Sequence, residues 1–282
     1  MSPFELKESL GWFPPLPKMF HADYELGNYS QAQIEKVMWK YLVRKQNCSR
    51  AWVRIHQHAP ETLTAEPLDI LELSTAHGAQ LEIWRSLGHN VKGTDFNWAT
   101  ADSMAQSKPA AQSWQRKLMA NMQAIKHTNP TKPLIDGWPY QPLIESLGLD
   151  VALHNGSNVP YPFADKSFDY VFCYQALEAY GPPAEWGRFV DEFCRIARKR
   201  VVIGFNPIAV HKRDLEVYRQ AENAALQNLM NYNRNGFRCE FFTIGTTRAG
   251  VHPTACKLIA WIEPRSGHGL IPAPARPAGL VR

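Results

Sequence analysis

Four short stretches of the sequence gather residue types that can hold a polar ligand. The first is Glu72-Leu-Ser-Thr-Ala-His-Gly78, an acid followed by mostly small residues. The second is Asp95, behind Gly93 and Thr94. The third is Asn155-Gly-Ser-Asn158, and the fourth is Tyr174-Gln175. A loop of small residues lets the backbone come close to a ligand. A helix that starts after such a loop offers free amide donors. An acid at the end of the next strand accepts hydrogen bonds from both hydroxyls of a ribose. Asp95 stands roughly twenty residues beyond the loop, the distance that role needs. This chemistry suits a nucleoside ligand. A dinucleotide would use the same arrangement, but a pyrophosphate needs a glycine-rich loop, and here Gly78 is the only glycine of the seven residues.

These groups act together only if a fold brings strand ends to one edge. The stretch 67–98 reads as strand (LDILEL), loop, amphipathic helix (LEIWRSLG, ending at Gly88) and strand (NVKGTDF), a βαβ unit that implies a parallel sheet. From residue 151 the rhythm resumes with VALHNG, SFDYVFCYQAL, the amphipathic helix AEWGRFVDEFCRIARK and RVVIGFNP. A helix is expected over 214–234. FRCEFFTIG and CKLIAWIEP leave no room for a crossover helix and are expected to be antiparallel. The fold class is therefore α/β. We expect a doubly wound, Rossmann-like, mostly parallel seven-stranded sheet with an antiparallel last strand. In such sheets ligands bind at the carboxyl ends of the strands, where the strand order reverses.

The rest of the chain frames this core. Residues 1–66 form an N-terminal extension, aromatic and proline-rich at first. A helix is expected from about Ser30 to Ile55, with Ser30 as its cap. Residues 67–264 form the Rossmann-like domain, interrupted at 99–150 by an insertion or lid. Residues 265–282 are a proline-rich tail. The chain has 282 residues, 45% hydrophobic and 20% charged, with a net charge of +5. This composition excludes a mainly disordered chain. No apolar run is long enough to span a membrane. The first twenty residues lack the pattern of an export signal. Five scattered cysteines without a CxxC fit reduced thiols, and we expect a soluble, cytoplasmic protein. The basic stretch Arg195–Arg200 (RIARKR) is expected to be a solvated helix end.

The segments resemble the class I S-adenosylmethionine (SAM)-dependent methyltransferases, small-molecule type (methyltransferase type 11-like). In that type a GDA-x-x-LPF-x-D-x-SFD segment joins the third and fourth strands. Here Gly156-Ser-Asn-Val-Pro-Tyr-Pro-Phe163-Ala-Asp-Lys-Ser-Phe-Asp169 aligns with it without a gap. The resemblance covers about residues 66–206. It implies SAM as cofactor. It implies that Glu72 opens an E-x-G-x-G-x-G loop around the methionine part, with Ser74 and Ala76 at its first two glycine positions and Gly78 at the last. Asp95 matches the ribose-binding acid. Ser157, where the family often has an aspartate, and Asn158 would recognise adenine. Tyr174 and Gln175 would lie near the methyl group. The sequence departs from the pattern at Ser74, Ala76, His77, Ser157 and Ala179, the last where the family has a histidine.

Methyl transfer from a sulfonium is an in-line displacement, for which alignment supplies most of the acceleration. No dedicated base motif is present. Tyr174, His154 and His211 are candidates by position, and for the histidines a structural role is the blander reading. His56 and His58 stand two apart, but no third ligand stands out, and no metal site is expected. Asn206-Pro207 is similar to part of the Asn-Pro-Pro-aromatic motif of amino-methylating enzymes, but reads as a loop dipeptide. The leading expectation is a methyltransferase acting on a small molecule or surface group. The alternative is a catalytically lapsed module in an assembly, docked on a protein partner through its N-terminal segment or tail. A nucleic-acid substrate is poorly supported by so modest a charge.

Overall fold

The computed structural model describes residues 13–37, 39–96, 138–205, 215–247 and 250–261. His211, Asn206-Pro207, residues 99–137 of the insertion and the tail 265–282 lie outside the described residues. The described strands are β1 (Asp69–Leu73), β2 (Asn90–Asp95), β3 (Val151–Leu153), β4 (Phe168–Tyr174), β5 (Ala197–Gly204), β6 (Asn233–Arg234), β7 (Phe237–Thr247) and β8 (Gly250–Ala260). They form one sheet in the order β3-β2-β1-β4-β5-β8-β7-β6. β1 to β5 are parallel, and β8 runs antiparallel between β5 and β7. The expected mixed, mostly parallel sheet is present. It has eight strands rather than seven.

The eighth strand corrects the helix expected over 214–234. That helix, α7 (Leu215–Met230), stops short, and β6 turns directly into β7. Asn235 and Gly236, at φ 54° and 72°, form the turn. An Asn-Gly pair supplies the two positive φ angles that a tight hairpin requires. The other described helices are α1 (Gln31–Lys36), α2 (Arg44–His58), α3 (Ala79–Ser86), α4 (Gln141–Ser146), α5 (Leu177–Tyr180) and α6 (Trp186–Ile196). None of them is long and apolar enough to cross a membrane.

The central parallel strands β1, β4 and the second half of β5 are buried on both faces, so they read as near-continuous apolar runs. Alternation divides their side chains between two layers. Leu71, Leu73, Val171 and Cys173 pack against Phe189 and Phe193 of α6. Ile70, Tyr170, Phe172 and Tyr174 face Trp52 and Ile55 of α2 and Leu81 and Trp84 of α3. The N-terminal extension thus contributes to the core of the sheet.

The single helix expected from Ser30 to Ile55 is broken. Ser30 does cap α1, with a reciprocal bond between its backbone N–H and Gln33 Oε1 at 2.9 Å. The chain leaves the helical region at Val37, makes a short 3₁₀ turn over Trp39–Tyr41 and starts again as α2. The break lets Val37 pack with Tyr24 and Leu143 in a separate cluster. It also frees α2 to lie across the sheet.

Candidate functional site

The strand order reverses between β1 and β4, so the ends of these two strands and of β2 flank one crevice. β1 runs into the loop Glu72–Gly78. Ser74, Ala76 and Gly78 all have positive φ, at 58°, 50° and 74°. The loop therefore holds glycine-like geometry at all three alternating positions, although two of them carry a Cβ. Left-handed backbone costs a non-glycine residue about 1–2 kcal/mol. The conformation is held from the side by Thr75. Its backbone N–H donates to the Thr94 carbonyl at 3.0 Å, and its hydroxyl lies 3.1 Å from the carbonyls of Glu72 and Thr94. At Gly78 a Cβ would come within 2.6 Å of Leu149 and 2.7 Å of Ile144. Gly78 is thus required by both its backbone angle and its packing. α3 starts at the next residue, and the Ala79 N–H donates to His77 Nδ1 at 3.3 Å. That bond leaves the imidazole neutral. Burial lowers its pKa to about 3, helped by the charges of Arg50, Arg54 and Lys40.

Asp95 ends β2, is buried, and faces this loop. Its Oδ2 accepts the indole N–H of Trp138 at 2.7 Å. Burial raises the carboxyl pKa to about 6 against the opposing pull of Trp138 and the backbone N–H groups of Phe96 and Ala76. Glu72 is also buried, and its Oε2 has no hydrogen-bond partner among the described residues. Burial drives its pKa well up, with Arg54 opposing and Asp95 adding to the rise. After β3, Asn158 Oδ1 is a second buried acceptor without a partner among the described residues. Buried acceptors of this kind cost stability unless a donor reaches them. Ser157 is used differently. It is fully buried, and both its N–H and its hydroxyl donate to Asn155 Oδ1, at 3.0 and 2.8 Å.

The catalytic candidates are tied into the frame. His154 is half-buried, donates from Nε2 to the Asn158 carbonyl at 3.1 Å and meets Tyr161 edge-on. Tyr174 lies beneath α2, with its hydroxyl 3.0 Å from His58 Nδ1. Burial, only partly opposed by Arg54, raises its pKa far above the usual phenol value. His56 donates to the Trp52 carbonyl at 2.9 Å. Among the described residues no cluster of His, Cys, Asp or Glu is arranged to hold a metal ion.

Sequence reasoning missed several groups here. Tyr180 reaches from α5 to Ser74, hydroxyl to hydroxyl at 2.7 Å. Its ring fills the space beside Gly156, where a Cβ would sit 2.2 Å from it. Trp138, Arg54 and the turn at Tyr41 were likewise not anticipated. Their positions depend on contacts across the fold, which local patterns do not encode.

The basic stretch needs correction. α6 ends at Ile196, and residues 197–200 belong to β5. Arg195 pairs with Glu192 and Asp165, Arg198 with Asp69 and Asp169, and Arg200 with Glu61 and Glu240. The stretch is an ion-pair network rather than a solvated basic helix end.

No family model and no curated protein matches the sequence. Solved structures with a similar fold include magnesium protoporphyrin IX methyltransferase from Synechocystis with bound SAM, at 13% identity and TM-score 0.41, covering 86% of this chain and 88% of that one. Another is geranyl diphosphate C-methyltransferase from Streptomyces coelicolor, at 11% identity and TM-score 0.42, covering 92% and 98%. A third is a putative RNA methyltransferase from Pyrococcus horikoshii, at 13% identity and TM-score 0.39, covering 94% and 100%. The chain's own architecture is a Rossmann-like, mostly parallel sheet whose strand order reverses between β1 and β4.

Proposed function

We propose that the protein is a SAM-dependent methyltransferase acting on a small-molecule acceptor. The observation that carries this reading is the Glu72–Gly78 loop. It keeps left-handed backbone at Ser74, Ala76 and Gly78 while facing a buried Asp95. Strained backbone persists only where surrounding structure holds it, and such strain gathers at ligand sites.

The residues fit the cofactor. Asp95 would accept from the ribose hydroxyls. The orphaned Glu72 Oε2 would accept from the methionine ammonium, and the orphaned Asn158 Oδ1 from the adenine amine. Ser157 serves this reading indirectly, by fixing the turn that carries Asn158 through Asn155. When bound, SAM supplies a methyl group already activated on a sulfonium. The chain's own task is then to align the acceptor and exclude water. Tyr174 acts in this account as a positioning residue, because its hydroxyl is engaged by His58.

A second reading has one observation in its favour. The Trp138 indole already occupies Asp95 Oδ2, as in a lapsed enzyme whose crevice is filled from within. Incubation with SAM labelled in its methyl group and an extract of small metabolites separates the two. Label in the small-molecule fraction supports the enzyme. Tight SAM binding with no transfer to any fraction supports the lapsed module.

A further inference from the structure

The cations of this chain are unevenly partnered. Arg195, Arg198 and Arg200 are each paired with carboxylates. Lys40, Arg50 and Arg54 make no ion pair among the described residues, yet they converge beside the Glu72–Gly78 loop. Arg50 and Arg54 are four apart on α2 and so share a face. Arg54 Nη2 donates to Gln175 Oε1 at 2.6 Å, and its guanidinium lies 5.5 Å from the Tyr174 ring centre, at the end of β4. Arg50 and Lys40 lie over the Tyr41 ring, at 5.8 and 4.6 Å. That ring packs 5.1 Å from the His77 ring in the loop.

The arrangement is built rather than incidental. Asn47 is fully buried and spends its carboxamide on this cluster. Its Nδ2 donates to the Tyr41 carbonyl at 2.7 Å and to the Tyr24 hydroxyl at 2.8 Å. Its Oδ1 accepts from Arg50. One side chain thus sets both the turn and the guanidinium. Arg50, Arg54 and Lys40 each help to hold the neighbouring His77 imidazole neutral.

Charge balance then points to a missing anion. The acids facing the crevice are Glu72 and Asp95, and among the described residues neither makes an ion pair with these cations; in the methyltransferase reading Glu72 answers the cofactor's ammonium and Asp95 its ribose. SAM itself brings two positive groups and one carboxylate. Three unpaired, half-buried cations beside it exceed what one cofactor carboxylate can balance. Like charges held close in a partly dry crevice are costly unless an anion lies among them. We propose that Lys40, Arg50 and Arg54 form the seat for an anionic group, a carboxylate or phosphate, of the methyl acceptor. This rests on the methyltransferase reading. The paired guanidinium forks of Arg50 and Arg54 suit such oxyanions.

The test uses the full chain saturated with S-adenosylhomocysteine (SAH), titrated with inorganic phosphate and with succinate at constant ionic strength. The expected result is saturable binding and thermal stabilisation by one or both anions. Lys40→Gln with Arg50→Gln, and separately Arg54→Gln, should weaken the anion about tenfold or more, the scale of one lost charge-assisted contact. SAH affinity should stay nearly unchanged. Arg50→Lys controls for folding and should retain part of the anion binding.

Two results overturn the proposal. One is no anion binding to the SAH-loaded parent. The other is a loss of SAH affinity in the variants that disappears with the decarboxylated thioether analogue of SAH, which would assign the cations to the cofactor's carboxylate. If the parent binds no SAH, the methyltransferase reading fails by itself. The acceptor seat falls with it, while anion titration of the free chain still reads whether the three cations bind an oxyanion.

Discussion

The Trp138 indole N–H donates to Asp95 Oδ2 at 2.7 Å, across 43 residues of sequence. The carboxylate proposed for the ribose is therefore already engaged by a side chain from the stretch read as the insertion. In the enzyme reading the indole holds Asp95 in place and yields when hydroxyl donors arrive. Trp138→Phe should then bind SAH at least as tightly as the parent, and about tenfold or more tighter, since a hydrogen bond to a charged group is worth about 1.5–3 kcal/mol. Calorimetry on the two proteins checks this. A weaker variant would show that the indole is part of the ligand's seat.

The carboxyl of Asp95 has its pKa raised to about 6, from an ordinary value of 3.8. Between about pH 4 and 6 the folded chain holds a proton that the unfolded chain has lost. This group therefore makes stability fall as pH rises through that window. Ligand binding should show the opposite slope, because the ionised carboxylate is the better acceptor for ribose hydroxyls. SAH affinity is expected to rise from pH 5 to 7 and then level off. Asp95→Asn should flatten this part of the profile.

Asp169 carries the opposite shift. Burial pushes its pKa up, but Arg198, the Asp69 N–H and Lys199 outweigh burial and hold it at about 2. It contributes stability that is present above about pH 4 and lost as pH falls toward 2. With its arginine partner partly exposed, the contribution is about 1–2 kcal/mol. Asp169→Asn should lower the urea midpoint at pH 7 and leave it nearly unchanged at pH 2.

The loop offers a pair of opposed substitutions. Ala76 sits at φ 50°. Ala76→Gly relieves strain but adds freedom to the unfolded chain, so stability should change by no more than about 1 kcal/mol, in the favourable direction. Ala76→Val places a β-branched residue in the left-handed region and should cost about 2 kcal/mol or more. Denaturant titration of both measures the strain directly.

A Cβ at Gly156 would meet the Tyr180 ring at 2.2 Å. Gly156→Ala should therefore displace Tyr180 from Ser74 and destabilise the chain by about 1–3 kcal/mol, the usual range for overpacking. Adding Tyr180→Leu should recover part of that loss. If the double variant shows simple additivity, the two sites are not coupled.

Much of the frame was legible because the central strands β1, β4 and β5 are largely buried on both faces and so stand out as apolar runs. Their order along the chain already places Glu72, Asp95, Asn158 and Tyr174 at one edge. The left-handed backbone of Ser74 and Ala76 left no mark in residue type, since both carry a Cβ. The role proposed for Lys40, Arg50 and Arg54 rests on contacts between distant segments, which local patterns do not encode. RIARKR read as a solvated helix end because its partners, Asp69, Asp169 and Glu61, lie far off in sequence. The Asn235-Gly236 turn was signalled locally, but the stretch 214–234 assigned to a helix ran up to it and so hid β6.

The central claim is that the Glu72–Gly78 loop and Asp95 hold SAM. Isothermal titration of the parent and of Asp95→Ala with SAM and SAH tests it most directly. The account predicts micromolar binding to the parent, weakened in the variant by about 1–3 kcal/mol, the cost of a lost charged hydrogen-bond partner. Equal binding by the variant would contradict the site. No heat from the parent, with a melting temperature unmoved by excess ligand, would contradict the function.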